Sequence, residues 1–258
     1  PLRRTERKKP PQPDYLVGKV IWGESASFVD SSGDKMDIAD WNLCPTDMEK
    51  FVRNGRSMDL KYHWQNVNLN DFHFDAKKLP ALLFSGVRTL RLSQTHIQAL
   101  REYVLNGGMI ICDSIAGSPY FYDSARKVFL EAFPESRFRE IPADHPLYHM
   151  MTDVEKVKYP KQPGKTKPFL EGIYIGSRIG VLVSKYGLGC GWNRDLTRLG
   201  KLPKAVYYDV KSANEIGLNL AAYVVGYAEV GLLEGQPEVF GQADEKRPTD
   251  EFVFAQLK

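Results

Sequence analysis

Apolar and polar positions along the middle of the chain follow the order strand, helix, strand. Residues 81–84 and 109–112 are short all-apolar runs, which are typical of parallel strands buried on both faces. Between them, apolar side chains recur at helical spacing over residues 93–105, and Gly107 stands where a helix often ends in a left-handed turn. The segment 80–113 therefore predicts a β-α-β unit of a parallel sheet.

Weaker patterns extend this alternation in both directions. We predict further strands over residues 15–22, 58–62, 172–176 and 179–184, and helices that begin near Thr46, Pro119 and Ser212. The last helix is expected to end near Ala228, and residues 185–211 to form a long loop. Together these elements predict an α/β fold, a three-layer sandwich with a mostly parallel sheet of the flavodoxin-like or amidotransferase-like kind.

Composition divides the chain into one domain with two polar ends. The 258 residues are 43% hydrophobic and 26% charged, an ordinary globular balance that can bury a full sheet. We assign residues 15–230 to a single α/β domain and residues 231–258 to a polar C-terminal tail. Residues 1–14 are rich in Arg, Lys and Pro, which predicts a disordered basic arm. This arm either contacts an acidic surface or is a solvated linker.

The sequence also bears on membrane insertion, export and the pairing of cysteines. The longest apolar run, residues 216–228, contains Asn219 and is too short to span a bilayer, so we predict no transmembrane segment. The chain begins with Pro rather than Met, which we interpret as removal of an upstream segment, as in an exported protein. Three cysteines without CxxC spacing do not indicate a disulfide framework or a zinc site.

Five segments together resemble a known family. They are SGVRTLRLSQTHIQALREYVLNGGMIICD, FPESRF, IPADHPLYH, EGIYIGSRIGVLVSKYGLGCGWNRD and SANEIGLNLAAYVVGYA. Their order and content resemble the bacterial domain-of-unknown-function family DUF4159 over most of the predicted domain. The resemblance implies a class I glutamine amidotransferase-like fold and an exported or membrane-associated protein, without an established activity. Family members often carry His after the strand-end glycine, where this chain has Val87.

Candidate site residues follow the predicted strands. Because the carboxyl ends of parallel strands meet at one edge of the sheet, we expect these residues to share a rim there. They are Ser85, Gly86, Arg88, Asp113, Ser114, His145, Cys190, Trp192 and Arg194. Asp113 acts as an acid, base or ligand, or else caps the helix near residue 118 or orients Arg88. Trp192 either offers a platform to a ligand or partner, or fills the core.

The cysteine in the glycine-rich loop GLGCGWNRD (residues 187–195) does not fit a catalytic nucleophile. Cys190 has adjacent glycines, whereas a nucleophile elbow needs small residues two positions away on each side. Those positions hold Leu188 and Trp192. We therefore assign no catalytic residue.

Metal and cofactor motifs are weak or missing in the sequence. His145 and His149 are four residues apart, a spacing that metal ligands use on a helix, but a zinc or copper site needs three or four converging groups. The alternative is that Asp144 and His145 cap a short helix and that His149 is a surface or half-buried residue. The sequence has no GxGxxG or Walker motif, so we predict no cofactor.

These patterns favour a non-catalytic module that binds a small ligand or a protein partner in a bacterial assembly or envelope system. The alternative is a hydrolase or metal-dependent enzyme with its site at the carboxyl edge of the sheet. An enzyme predicts at least three polar side chains that converge in a pocket with perturbed ionisation. A binding module predicts a broad apolar or charged surface instead.

Overall fold

A computed structural model describes residues 15–29, 33, 35–56, 62–71, 75–193 and 205–234. The strands are β1 (Tyr15–Ile21), β2 (Ser25–Val29), β3 (Lys35–Ala39), β4 (Tyr62–Asn68), β5 (Ala81–Gly86), β6 (Met109–Ser114), β7 (Arg139–Glu140), β8 (Leu170–Ile175) and β9 (Arg178–Ser184). The helices are α1 (Asp47–Arg56), α2 (Gln94–Leu105), α3 (Pro119–Ala132), α4 (Gly189–Trp192) and α5 (Val210–Glu234). Short 3₁₀ turns cover Asp40–Asn42, Ile115–Gly117 and Pro146–Tyr148.

The main sheet has the strand order β4-β1-β5-β6-β9-β8-β7. The first five strands in this order run parallel to one another, and β8 is antiparallel to both β9 and β7. The strands β2 and β3 form a separate antiparallel hairpin. The predicted α/β class with a mostly parallel sheet is therefore confirmed.

Helices cover both faces of the sheet, as a three-layer sandwich requires. Leu83 and Ile111 belong to the hydrophobic cluster that also contains residues of α1 and α5. Their neighbours Leu82 and Ile110 belong to the cluster that contains residues of α2 and α3. This alternation follows from the two-residue period of a strand, and it explains why both central strands are apolar throughout.

The structure differs from the prediction in the polar parts of the chain. The strand β4 begins at Tyr62, whereas we predicted a strand over 58–62, most of which lies outside the described residues. Its exposed polar positions gave no strand signal, because it lies at the edge of the sheet. The hairpin β2–β3 lies in a segment for which we predicted no strand. The helix α4 lies in the predicted loop, and α5 continues to Glu234.

Two predicted regions lie outside the described residues, namely the basic arm (1–14) and most of the polar tail (235–258). Among the helices that the structure describes, none combines the length and the apolar character that crossing a bilayer requires.

Candidate functional site

The strand order has a reversal between β1 and β5. From β1 the chain moves outward to β4, then returns to β5 on the other side of β1, and β6 and β9 continue in that direction. This is the 2-1-3-4-5 order of flavodoxin-like sheets, whose ligands bind outside the carboxyl ends of the strands at the reversal. The carboxyl ends of β1 and β5 are therefore the expected place for a ligand.

A crevice of about 610 Å³ opens at this place. Its lining comes from the end of β1, the loop after β5 and the start of α3, namely Trp22, Gly23, Glu24, Val87, Arg88, Thr89, Arg91 and Tyr120. Small-molecule sites commonly have volumes of roughly 300–1,000 Å³. We call this feature the switch-point crevice.

The buried carboxylate of Asp40 holds the loop after β5 in place. Asp40 Oδ2 accepts hydrogen bonds from the backbone N–H groups of Val87 and Arg88, both at 3.1 Å. Asp40 Oδ1 lies 3.4 Å from Arg88 Nε, and Arg88 Nη2 donates to the Glu24 carbonyl at 2.7 Å. A Cβ on Gly86 would lie 2.5 Å from Asp40 Oδ2, so only glycine allows this close approach. The Arg88 guanidinium is thus fixed at the wall of the crevice.

Aromatic side chains form the other walls. Trp22 is buried, and its Nε1 donates to the Ser85 carbonyl at 2.9 Å, which joins the end of β1 to the end of β5. Tyr120 is 71% exposed, the most exposed of the large hydrophobic side chains in the described residues. Arg91 is exposed as well and pairs with no carboxylate among the described residues. The crevice therefore presents both charge and a flat apolar surface to solvent.

A smaller pocket of about 300 Å³ adjoins the crevice across the end of β1. The two share Trp22, Gly23 and Arg91. The smaller pocket adds Ile21, Asn68, Leu69, Asn70, Leu92 and His96 to the lining. Arg91 therefore lies at the boundary between the two pockets.

A second group of functional side chains is buried at the same edge of the sheet. Lys19 in β1 donates from Nζ to Asp47 Oδ1 at 2.7 Å and to the Cys44 carbonyl at 2.9 Å. Asp113, at the end of β6, lies close by, because a Cβ on Gly189 would be 2.8 Å from Asp113 Oδ2 and 3.4 Å from Asp47 Oδ2. We call Lys19, Asp47 and Asp113 the buried ionic cluster.

Asp113 anchors the glycine-rich loop. Its Oδ1 accepts from Leu188 N at 2.7 Å, and its Oδ2 accepts from Gly189 N at 2.8 Å. Burial raises the pKa of Asp113 to about 7, although these two hydrogen bonds lower it, and the nearby Asp47 raises it further. Burial also raises the pKa of Asp47, against the opposing effect of Lys19. Asp113 thus neither caps the helix near residue 118 nor orients Arg88, which Asp40 does instead.

The turn after β6 has a strained backbone. Ala116 has φ 56° and ψ 14°, in the left-handed region that L-residues with a side chain rarely occupy. Its N–H donates to Cys190 Sγ at 3.2 Å, and its carbonyl accepts from Val206 N at 2.8 Å. A strand-to-helix turn of this kind exposes the nucleophile in enzymes that have a nucleophile elbow. In this chain Ala116 contributes a methyl group to the turn, next to Cys190 of the glycine-rich loop.

The structure places several predicted site residues at the carboxyl edge but buries most of them. Ser85, Asp113 and Ser114 are each at most 1% exposed. Ser85 Oγ donates to the Trp41 carbonyl at 3.0 Å, whereas Ser114 Oγ has no hydrogen-bond partner among the described residues. Of the predicted set, Arg88 reaches the crevice with its side chain, and Gly86 lies in the wall behind it.

The glycine-rich loop packs inward. Cys190 is fully buried, and the Trp192 ring lies 5.3 Å from the Phe51 ring while its Nε1 donates to the Ala213 carbonyl at 2.7 Å. Of the two roles considered for Trp192, the structure therefore supports filling of the core. Arg194 lies outside the described residues.

The prediction that His145 shares this rim is wrong. Its ring lies 5.8 Å from the Tyr223 ring, and the Tyr223 hydroxyl accepts from Ile179 N near the start of β9. Asp113 instead pairs with Ser184 at the end of β9. Five residues of strand separate these levels by about 16 Å. No sequence pattern assigns the irregular segment around His145 to an edge of the sheet.

The two histidines make local structural contacts, and His145 caps a 3₁₀ turn. His145 Nδ1 accepts from Leu147 N at 3.1 Å, at the start of the 3₁₀ turn. His149 uses both ring nitrogens, on Asp153 Oδ1 at 2.9 Å and on the Ala143 carbonyl at 2.6 Å. Within the described ranges, no three His, Cys, Asp or Glu side chains are grouped to hold a metal ion.

The sequence analysis missed several residues that shape the site. Lys19 carried a usable signal, since it is a lone charge within an apolar strand and such a residue needs a buried partner. Asp40 and Arg91 carried no comparable signal, because they lie in polar segments where charges are common. Tyr120 lies at the start of a helix among several other aromatic residues, and no sequence pattern distinguishes it as the exposed one.

Comparison with known families places most of the chain in one of them. Residues 28–225 match the family described as Domain of unknown function (DUF4159). The comparison with curated proteins gave no match.

Proposed function

Because the chain belongs to the DUF4159 family, whose description names no activity, we propose its function from the geometry of its site. We propose a non-catalytic module that binds a small ligand in the switch-point crevice. The crevice itself carries this proposal, since it lies where doubly wound sheets bind ligands and has room for a small molecule. In the other form of this role, the crevice receives a side chain of a protein partner. The setting in a bacterial assembly or envelope system rests on the family resemblance.

The turn after β6 supports a non-catalytic role. In enzymes with a nucleophile elbow, including those of the amidotransferase kind, the attacking side chain stands on a strained strand-to-helix turn. Ala116 has such a strained conformation, but its methyl group cannot attack a substrate. It is also only 7% exposed. A strained turn that holds no nucleophile is more consistent with a binding function than with a hydrolase.

The buried ionic cluster favours the alternative, a hydrolase or metal-dependent enzyme. Three polar side chains converge there, and a pKa of about 7 for Asp113 suits a general acid or base. However, Lys19, Asp47 and Asp113 are at most 1% exposed, so a substrate cannot reach them in the described structure. The crevice, by contrast, presents polar groups that a ligand can reach, and for this reason we favour binding.

A ligand screen tests the proposal. Metabolite mixtures are tested for an increase in melting temperature, because a ligand that binds only the folded state stabilises it. Hits are then recovered and analysed by mass spectrometry. We expect hits that are recovered unchanged and that lose their effect in Tyr120→Ala. The control Met151→Ala removes another exposed hydrophobic side chain, 48% exposed and outside the crevice lining, and should behave like the wild type.

Two outcomes would contradict this proposal. One is conversion of a hit to a product at a rate that Asp113→Asn abolishes, which would support the enzyme alternative. The other is a set of hits that respond equally to Tyr120→Ala and Met151→Ala, which would place binding outside the crevice.

A further inference from the structure

Two arginines determine the charge of the switch-point crevice. The lining contains Arg88 and Arg91 against a single carboxylate, Glu24, so its net charge is positive. Asp40 offsets part of the Arg88 charge from the buried side. Arg91 has no such partner among the described residues, and its charge is therefore available to a ligand.

The donors of Arg88 are arranged so that some remain free. Nη2 donates to the Glu24 carbonyl and Nε faces Asp40, which fixes the plane of the guanidinium. Nη1 has no partner among the described residues. An arginine with a fixed plane and unused donors is suited to a planar or tetrahedral acid group, because little side-chain entropy is lost on binding.

The start of α3 adds further donors at the same place. Tyr120 lines the crevice as the second residue of this helix, and Ser118 Oγ donates to the carbonyl of the lining residue Val87. No side chain caps the helix, and the first backbone bond of the helix runs from Tyr122 N to Ser118 O. The N–H groups of Tyr120 and Phe121 are thus without partners among the described residues. Unpaired N–H groups at a helix start favour an anion.

The exposed ring of Tyr120 indicates the chemical character of the non-acidic part of a ligand. A large aromatic side chain that is 71% exposed beside a crevice offers a flat apolar surface with little conformational freedom. The lining has two positive side chains and one negative one, which favours a ligand with a single acid group over a polyanion.

We infer that the switch-point crevice recognises a small organic anion, whose phosphate or carboxylate lies between Arg88 and Arg91 and whose ring packs on Tyr120. This inference rests on the proposed binding function and names the class of ligand for it.

Phenyl phosphate and benzoate are suitable probes, with benzyl alcohol as the neutral control. Isothermal titration calorimetry at fixed ionic strength compares the wild type with Arg91→Gln and with the control Arg53→Gln. Arg53 is an exposed arginine of α1, and neither substitution removes a buried contact. We expect millimolar or tighter binding of one or both anions. Arg91→Gln should weaken it by roughly tenfold or more, since a charge-assisted hydrogen bond is lost. Arg53→Gln should have no effect.

The two acids distinguish the possible sources of the anionic group. Preference for phenyl phosphate indicates a phosphate ester as the natural ligand, and preference for benzoate indicates a carboxylic acid. Absence of binding by both anions, equal binding of benzyl alcohol, or equal loss in the two arginine variants would overturn the inference.

The same titrations separate this inference from the proposed function. Release of phenol from phenyl phosphate would contradict the non-catalytic role while leaving anion recognition intact. Conversely, a neutral metabolite that binds through Tyr120 and is recovered unchanged, with no binding of either anion, would keep the binding role and remove the inference about charge.

Discussion

Opposing effects act on the pKa of the Asp113 carboxyl. Two backbone N–H groups favour its charged form, whereas complete burial and the neighbouring Asp47 oppose it, and burial is the larger effect. Asp113 holds the loop that carries Cys190 and Trp192, so its protonation state bears on the packing of that loop.

The stability of the protein should therefore depend on pH through Asp113. Its pKa is about 7 in the folded state, above the value of about 3.9 for an unfolded chain. A group with a raised folded pKa contributes stability that is fully present at low pH and is lost as pH rises towards the folded pKa. We expect the free energy of unfolding to fall between about pH 4 and about pH 7, by on the order of 4 kcal/mol from this group.

Urea unfolding across this range checks the expectation. Asp113→Asn should have a flatter curve, because the amide does not titrate. The pKa of Asp47 is also raised, so some slope remains in the variant. Parallel curves for the two proteins would show that Asp113 does not titrate in this window.

The cysteines lead to a second prediction at this scale. Cys44, Cys112 and Cys190 are all fully buried. Contact with Cys190 and burial raise the pKa of the Cys44 thiol, and burial raises that of Cys112. Only a thiolate reacts quickly with iodoacetamide. We expect slow labelling of the native protein near neutral pH and complete labelling in denaturant, followed by mass spectrometry. Rapid stoichiometric labelling of Cys190 would instead indicate an activated nucleophile.

Among the secondary-structure elements, the turn between β6 and α3 concentrates backbone strain. The left-handed conformation of Ala116 costs about 1–2 kcal/mol for a residue with a Cβ. The neighbouring Gly117 has φ 71°, and a side chain would not fit there, since its Cβ would lie 2.8 Å from the Val206 carbonyl. The turn is thus fixed on both sides by contacts with the segment near Val206.

Substitutions at Ala116 measure this strain. Ala116→Gly should leave stability unchanged or raise it by up to ~1 kcal/mol, because the gain in the folded state opposes the greater freedom of the unfolded chain. Ala116→Val should lower stability by roughly 2 kcal/mol or more, because a β-branched side chain is strongly disfavoured at positive φ. The free energy of unfolding in urea is the measurement. A glycine variant that is less stable than the valine variant would contradict the assigned conformation.

The elements that the sequence predicts well are those whose pattern is set by burial alone. The strands β5 and β6 are apolar throughout because helices cover both faces, and α2 has a serine cap that accepts from His96 N at 3.2 Å. The polar edge strand β4 and the hairpin β2–β3 have no such pattern. Their positions depend on pairing partners that are distant in sequence or on the turn between them.

The site is less predictable for a related reason. Asp113 lies at the end of a strand and Asp40 directly follows one. Only the fold decides that Asp40 contacts Arg88 while Asp113 anchors the glycine-rich loop. The crevice combines segments that are up to about a hundred residues apart, from Trp22 to Tyr120. Periodicity predicts the elements, but the contacts between their ends are a property of the assembled sheet.

In the molecule as a whole, the buried ion pair between Lys19 and Asp47 joins the sheet to the helical layer. Lys19 lies in β1 beside the strand reversal, and Asp47 is the first residue of α1. Both side chains are at most 2% exposed, and their separation is 2.7 Å. The pair thus connects β1 of the sheet to α1, the helix that packs on α5.

A double-mutant cycle tests how strongly this pair couples the two layers. Lys19→Met leaves the Asp47 carboxylate buried without its partner, which typically costs about 3–5 kcal/mol, and Asp47→Asn leaves the Lys19 ammonium in a similar position. The double variant removes both charges, so its loss of unfolding free energy should be smaller than the sum of the single losses by at least ~1 kcal/mol. Urea unfolding of the four proteins at one pH measures this coupling. Strictly additive losses would show that the two charges are stabilised independently, for Lys19 through the Cys44 carbonyl and Asn42 and for Asp47 through its backbone contacts.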